Sequence, residues 1–412
     1  MRIRLIPKKT SSMLFLYWIV LLAWQNLRGA SGNRSGGDMV IKTGLLILLI
    51  LHYYSNYRFI SRKVFFVTVV LVICAFIPVI NVPNVTNFLY YFFPILFFFL
   101  TYGYGYNAEI NKEELLRFSY FIIIAVAYMV VYALIFCTNQ FTTAFSLTSA
   151  YGNELRSFLF SNCEYGLYLA FGIMCSILCL EMDTKIGRVK RIVLVFTIFV
   201  FLVNLILTFS RTSILSFVAM ITVYLFFYSK SKVRYVILLA LTVFVIAYFA
   251  SDTLENFIVQ IVFKNNYNSG RSDLVNYGMA LYNEGNYIQK FLGQTYSLVR
   301  DIIEVDNEVT SVHNAYVQML ITNGWKGCLF LTGVIVNAII DIHRTSRRHP
   351  EYKSLLRLFY GFIIVALIFM LTTTATLFYS TIDSFFLTIM TMVIPKYIRN
   401  AINNGNFVKK EG

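Results

Sequence analysis

A few side chains stand out in this sequence because ionisable groups are scarce around them. Arg156 precedes Ser161-Asn162-Cys163-Glu164-Tyr165-Gly166, and Arg211 sits within Ser210-Arg211-Thr212-Ser213. Arg271 follows Gly270, and His313 opens His313-Asn314-Ala315-Tyr316. A guanidinium is planar, permanently charged and able to grip a phosphate through two parallel hydrogen bonds. Several such cations suit a diphosphate, on which negative charge builds when a sugar–phosphate bond breaks. A histidine beside them can take or orient the proton of an attacking hydroxyl. Glu164 is expected a turn or two inside an apolar run, facing the interior and pairing with one of the arginines. Each residue also has a plainer reading. Arg211 suits a snorkelling side chain between two helices, with Thr212 or Ser213 capping the second. Arg271 suits an exposed loop residue paired with Asp273, and His313 a capped helix end. Asp383 reads as a carboxylate at a helix N-terminus.

The elements that must position these groups follow from hydropathy. The chain has 412 residues, 58% hydrophobic and 13% charged. So few charged side chains cannot cover the surface of a soluble domain. One bilayer crossing takes ~20 apolar residues, so the apolar content would fill about twelve crossings. Crossings are expected at 13–27, 39–55, 64–80, 88–105, 118–137, 158–180, 192–209, 212–229, 233–250, 314–341, 356–376 and 380–398. The run 314–341 is interrupted at Asn323-Gly324, so its first part reads as a short interfacial or re-entrant helix. The first run follows Arg2, Arg4, Lys8 and Lys9, and Ala30-Ser31-Gly32 has the look of a cleavage site. More membrane follows rather than a secreted domain, so an uncleaved first helix is expected. The expected fold is an all-α integral membrane protein with about twelve transmembrane helices and one large extracytoplasmic loop. Residues 1–250 hold helices 1–9 and residues 251–313 form the loop. Residues 314–412 hold the re-entrant segment, helices 10–12 and a cytoplasmic tail.

Charge supplies the orientation. The net charge is +15, and with both termini in the cytoplasm 25 of the 35 Lys and Arg fall on inside segments. Cytoplasmic loops collect Lys and Arg, so the excess marks the inner membrane face rather than a nucleic-acid partner. Arg156, Glu164, Arg211, Arg271 and His313 then all map to the outer half. The loop 251–313 is rich in Asn, Tyr and Gly, and a loop of that length is usually functional. Its acidic residues Asp301, Glu304, Asp306 and Glu308 lack a recognisable ligand spacing, so they read as a solvated loop with no metal. The six cysteines form no Cys-x-x-Cys pair, which implies neither a disulfide framework nor a zinc site. Gly-x-Gly-x-x-Gly and Walker patterns are absent, which argues against an ATP-driven transporter.

Ser210-Arg211-Thr212, Gly270-Arg271 in the outer loop, and His313-Asn314-Ala315-Tyr316 with the later Gly324 and Gly327 resemble the O-antigen ligase and O-antigen (Wzy-type) polymerase superfamily. Arg156 with Ser161-Asn162 is similar to that family's Arg…Asn-x-Asn region. The resemblance covers about 150–330 and implies a GT-C-like membrane glycosyltransferase, independent of metals and without a cofactor. It would act on undecaprenyl-diphosphate-linked glycans at the outer face of the bacterial plasma membrane. The resemblance assigns Arg211 and Arg271 to the leaving diphosphate and His313 to the acceptor hydroxyl. Arg156, Glu164, Asn314 and Tyr316 are expected to bind substrate. A polymerase of repeat units for capsule, exopolysaccharide or O-antigen is the leading expectation, with a flippase and a chain-length regulator as possible partners. A ligase to lipid A core or protein, and a lipid-linked oligosaccharide flippase or other transporter, are the alternatives. A flippase should show related halves and cations deep in a central cavity, whereas the polar residues here gather at one face.

Overall fold

The computed structural model describes residues 9–31, 37–57, 59–81, 83, 85–145, 155–159, 161–183, 186–227, 271–294, 304–305, 308–309, 314–373, 377–378 and 382–408. The expected crossing at 233–250 and His313 lie outside them, as do the side chains of residues 271–273. The described chain is helical. The N-terminal half holds α1 (Thr10–Ser31), α2 (Gly37–Asn56), α3 (Arg62–Asn81), α4 (Val85–Phe98), α5 (Lys112–Phe136) and the short α6 (Thr138–Phe145). Next come α7 (Asn162–Met182), α8 (Arg188–Leu207) and α9 (Arg211–Phe227). Two short helices follow, α10 (Arg271–Glu284) and α11 (Tyr287–Leu292), and then a ladder of β1 (Glu304–Val305) with β2 (Glu308–Val309). The C-terminal part holds α12 (Ala315–Arg348), α13 (Lys353–Thr372), α14 (Ile382–Thr388) and α15 (Ile394–Asn403), the last two joined by a π turn.

Among the described residues six helices are long and apolar enough to cross a membrane: Arg62–Ile80, Lys112–Phe136, Asn162–Met182, Arg188–Leu207, Ala315–Arg348 and Pro350–Thr372. Shorter apolar helices cover Thr10–Trp24, Val40–Asn56 and Arg211–Phe226. This is a multi-pass membrane protein. The core centres on α7, whose Tyr165, Tyr168 and Phe171 are wholly buried. Helices α5, α8 and α9 pack around it, and α13 packs along α9. By contrast α3 leaves Phe65, Phe66, Ile73 and Ile80 exposed, as a helix bathed in lipid does.

The two ends of the bundle differ in charge. At one end Lys9 pairs with Glu114 at 3.2 Å, which ties α1 to the start of α5. Tyr224 at the end of α9 donates to Glu181 at the end of α7, at 3.0 Å. Arg188, Lys190 and Arg191 start α8 at this end, and Arg344, Arg347 and Arg348 finish α12 there, where Asn403 of α15 donates to Thr345 and the Lys112 N–H of α5 to the Phe407 carbonyl. Below α4 the helix loosens into a π turn (Phe99–Gly103) and a 3-10 turn (Tyr104–Asn107). The freed carbonyls are met by Lys396 of α15, whose Nζ donates to the Thr101 and Gly105 oxygens at 3.1 and 3.3 Å.

Helix α12 is broken where the sequence placed the interruption. Gly324 has φ +60° and ψ −163°, a conformation that only glycine adopts without strain. A short segment from Ala315 therefore precedes the long segment that runs to Arg348. Two local expectations are corrected. Glu164 lies in the first turn of α7, not a turn or two deeper, because α7 starts at Asn162. The cap of α9 is Ser210, whose Oγ accepts from Ser213 N at 3.3 Å, rather than Thr212 or Ser213.

Candidate functional site

The end of the bundle opposite the basic cluster gathers polar side chains. Helix α7 starts on Ser161, whose side chain accepts from Cys163 N at 3.1 Å. Asn162 Nδ2 then donates to the Thr208 carbonyl at 2.9 Å, joining the start of α7 to the end of α8. The chain turns through Phe209, at φ +49°, directly into α9. Ser213 Oγ donates to the Cys163 carbonyl at 2.9 Å and lies 2.8 Å from Ser210 Oγ. Gly166 makes this approach possible, since a Cβ there would overlap the Ser213 side chain. The first turns of α7 and α9 thus lie side by side, with their positive dipole ends together. Arg211, exposed, and Glu164, half-buried, sit on these two turns. Such an arrangement favours an anion.

Three other elements finish at the same place. Thr212 donates to Thr372, the last residue of α13, at 2.6 Å between hydroxyls. Tyr316, in the first turn of α12, donates to the Leu367 carbonyl of α13 at 3.2 Å. Asn314 caps α12, its Oδ1 accepting from Tyr316 N and Val317 N at 3.1 and 3.2 Å. That oxygen is therefore committed to the backbone, and the amide NH2 is the part of Asn314 that the cap does not use. Arg156 is exposed, and its backbone N–H donates to Gln140 Oε1 of α6 at 3.0 Å. The neighbouring Ser157, at φ +56°, donates to the Met129 carbonyl of α5 at 2.8 Å. The structure thus brings Arg156, Glu164, Arg211, Asn314 and Tyr316 to one end. His313 lies outside the described residues, immediately before Asn314 in the chain.

Arg271 is the first residue of α10, within the stretch read from sequence as loop. Val275 and Tyr282 of α10 pack on Ile321 of α12, so α10 lies against the first segment of α12. A second tie follows α11. Gly293, at φ +90°, and Gly324 meet backbone to backbone, and a Cβ on either would overlap the other strand of chain. Gln294 N donates to the Ile321 carbonyl at 2.8 Å. Tyr91 of α4, 3% exposed, closes the clasp, its hydroxyl 2.7 Å from the Gln294 carbonyl and 2.8 Å from that of Thr322. Sequence reasoning did not find Tyr91 or Gln294. A tyrosine among 29, paired across 203 positions, carries no local signal.

Among the described residues no group of three His, Cys, Asp or Glu side chains comes together to hold a metal ion. Residues 196–332 match a family model described as O-antigen ligase. The match supports the O-antigen ligase and polymerase superfamily. The matched stretch runs from α8 into α12 and is about a third of the chain. It contains Arg211, Arg271, His313, Asn314 and Tyr316, whereas Arg156 and Glu164 precede it. No curated protein matches the chain. An O-antigen ligase-type domain implies a membrane glycan transferase acting on lipid-linked glycans.

Proposed function

We propose that the protein is a polymerase of undecaprenyl-diphosphate-linked oligosaccharide repeat units, in capsule, exopolysaccharide or O-antigen synthesis. Both termini are cytoplasmic, and the polar end faces the outer side of the bacterial plasma membrane. The reaction needs no metal on this reading. An acceptor hydroxyl oxygen attacks the donor sugar C1, and the bond from C1 to the diphosphate oxygen breaks. The diphosphate leaves with that electron pair, and the hydroxyl proton passes to His313. Arg211 and Arg271 stabilise the charge that grows on the diphosphate, acting where it develops rather than on the ground state. Arg156, Glu164, Asn314 and Tyr316 line the sugar path.

The observation that carries this reading is the joint placement of Arg211 and Glu164 on two abutting helix starts, at the end away from the basic cluster. Deep central cations would have suited a flippase better. The family match leaves the ligase as the second reading, since the description names that activity. Gene deletion with analysis of lipid-linked and surface glycan separates them. Single repeat units at the surface are the expected result. Polymer held on the lipid carrier would point to the ligase, and repeat units trapped inside to a flippase.

A further inference from the structure

Lys326 lies two residues beyond the break at Gly324, at the start of the long segment of α12. It is half-buried, and an ammonium among apolar side chains is costly unless it has a partner. It lines a small cavity of about 60 Å³ with Ala75 of α3, Tyr91 and Pro94 of α4, Asn323 and Phe330. Its Nζ donates to the Cys74 carbonyl at 3.0 Å and stands 5.8 Å from the centre of the Tyr91 ring. Among the described residues no carboxylate lies within ion-pair distance of it. An ammonium has three hydrogens to donate, so one carbonyl leaves capacity for an anion. Lys326 and Gly327 also open the long segment, whose positive dipole end adds to the field in the cavity. The remaining walls are apolar, and α3 beside them is the least buried of the six long apolar helices among the described residues.

We propose that Lys326 anchors a phosphate-binding site, separate from Arg211, for the diphosphate headgroup of a lipid-linked glycan. The inference rests on the transferase reading above. A polymerase joins two lipid-linked glycans, a donor that loses its diphosphate and an acceptor that keeps it. Cations at Arg211 and Arg271 serve the leaving group. The acceptor's diphosphate does not react, and its needs are met by a cation in an apolar niche that binds without activating. Asn323, whose Nδ2 donates to Thr322 Oγ1 at 2.9 Å, orients the polar rim of the same niche. A ligase with a lipid-free acceptor has no use for this site.

The test uses full-length protein in phosphatidylcholine nanodiscs, with undecaprenyl diphosphate as the probe and native mass spectrometry as the readout. Two probe molecules are expected on the wild type and one on Lys326→Met, with Lys326→Arg restoring the second. The lost hydrogen bonds to a charged group should weaken the second site about tenfold or more. A shared melting temperature for the three proteins checks folding. Two probe molecules on Lys326→Met would overturn the proposal. So would displacement of the second molecule by equal phosphatidylglycerol or by inorganic phosphate, which would assign the niche to bulk lipid or a free anion. Arg211→Ala is read separately. If it also keeps two molecules, the donor-site reading fails while the Lys326 site stands.

Discussion

Tyr91→Phe removes one oxygen from the clasp and leaves the ring, and with it the contact to Lys326, in place. In the native protein that hydroxyl is the donor shared by two carbonyls, the part-buried one of Gln294 at 2.7 Å and the buried one of Thr322 at 2.8 Å. Phenylalanine removes that donor from both. An unsatisfied buried acceptor costs about 1–3 kcal/mol, and each 1.4 kcal/mol is a factor of about ten in an equilibrium. Opening of the segment after α11 should therefore become about five to a hundred times more frequent. The Gln294 N–H reports it, because its bond to the Ile321 carbonyl, at 2.8 Å, must break for exchange. Hydrogen–deuterium exchange on 287–294 should accelerate by that factor while the amides of α7 keep their rates. Transfer activity should fall with it, since the docking of α10 and α11 holds Arg271 in place. Exchange within about twofold of wild type would refute the clasp. A rise spread over α7 as well would mean global unfolding instead.

Gly324→Ala should be more severe, since its Cβ meets the Phe291 carbonyl and Gly293 backbone at a φ of +60°. A loss of about 1–3 kcal/mol for the backbone strain alone is expected, seen as a lower melting temperature in detergent. Lys396→Met should also destabilise the fold, by about 2 kcal/mol, because the Thr101 and Gly105 carbonyls lose a charged donor. The side of the membrane on which residues 251–313 lie can be probed chemically. A cysteine placed by Asn266→Cys should react with an impermeant label added outside intact cells, and labelling only after lysis would reverse the proposed orientation.

Much of the architecture was legible because bilayer crossings leave a strong hydropathy signal. The break in α12 was legible for the same reason, as Asn323-Gly324 interrupts an apolar run. The polar end was found through the scarcity of charge, which made Arg211 and Glu164 conspicuous. Their exact turns were not, because the boundary of α7 depends on the Ser161 cap and the tie from Asn162 to Thr208. The helices α10 and α11 were read as loop, since their packing partner, Ile321, lies on a distant segment. Lys326 did leave a signal, a lone charge just past a helix break, which only the cavity around it turned into a site.

On the proposed function, guanidinium groups at the outer end stabilise a departing diphosphate, and that role can be measured on its own. It is tested most directly by complementing a deletion strain with Arg271→Ala and Arg271→Lys and measuring surface glycan length by gel electrophoresis. Polymer should be lost with alanine while the protein stays in the membrane. Lysine should rescue little, because bidentate geometry is lost with the guanidinium. Normal chain length in either variant would contradict it.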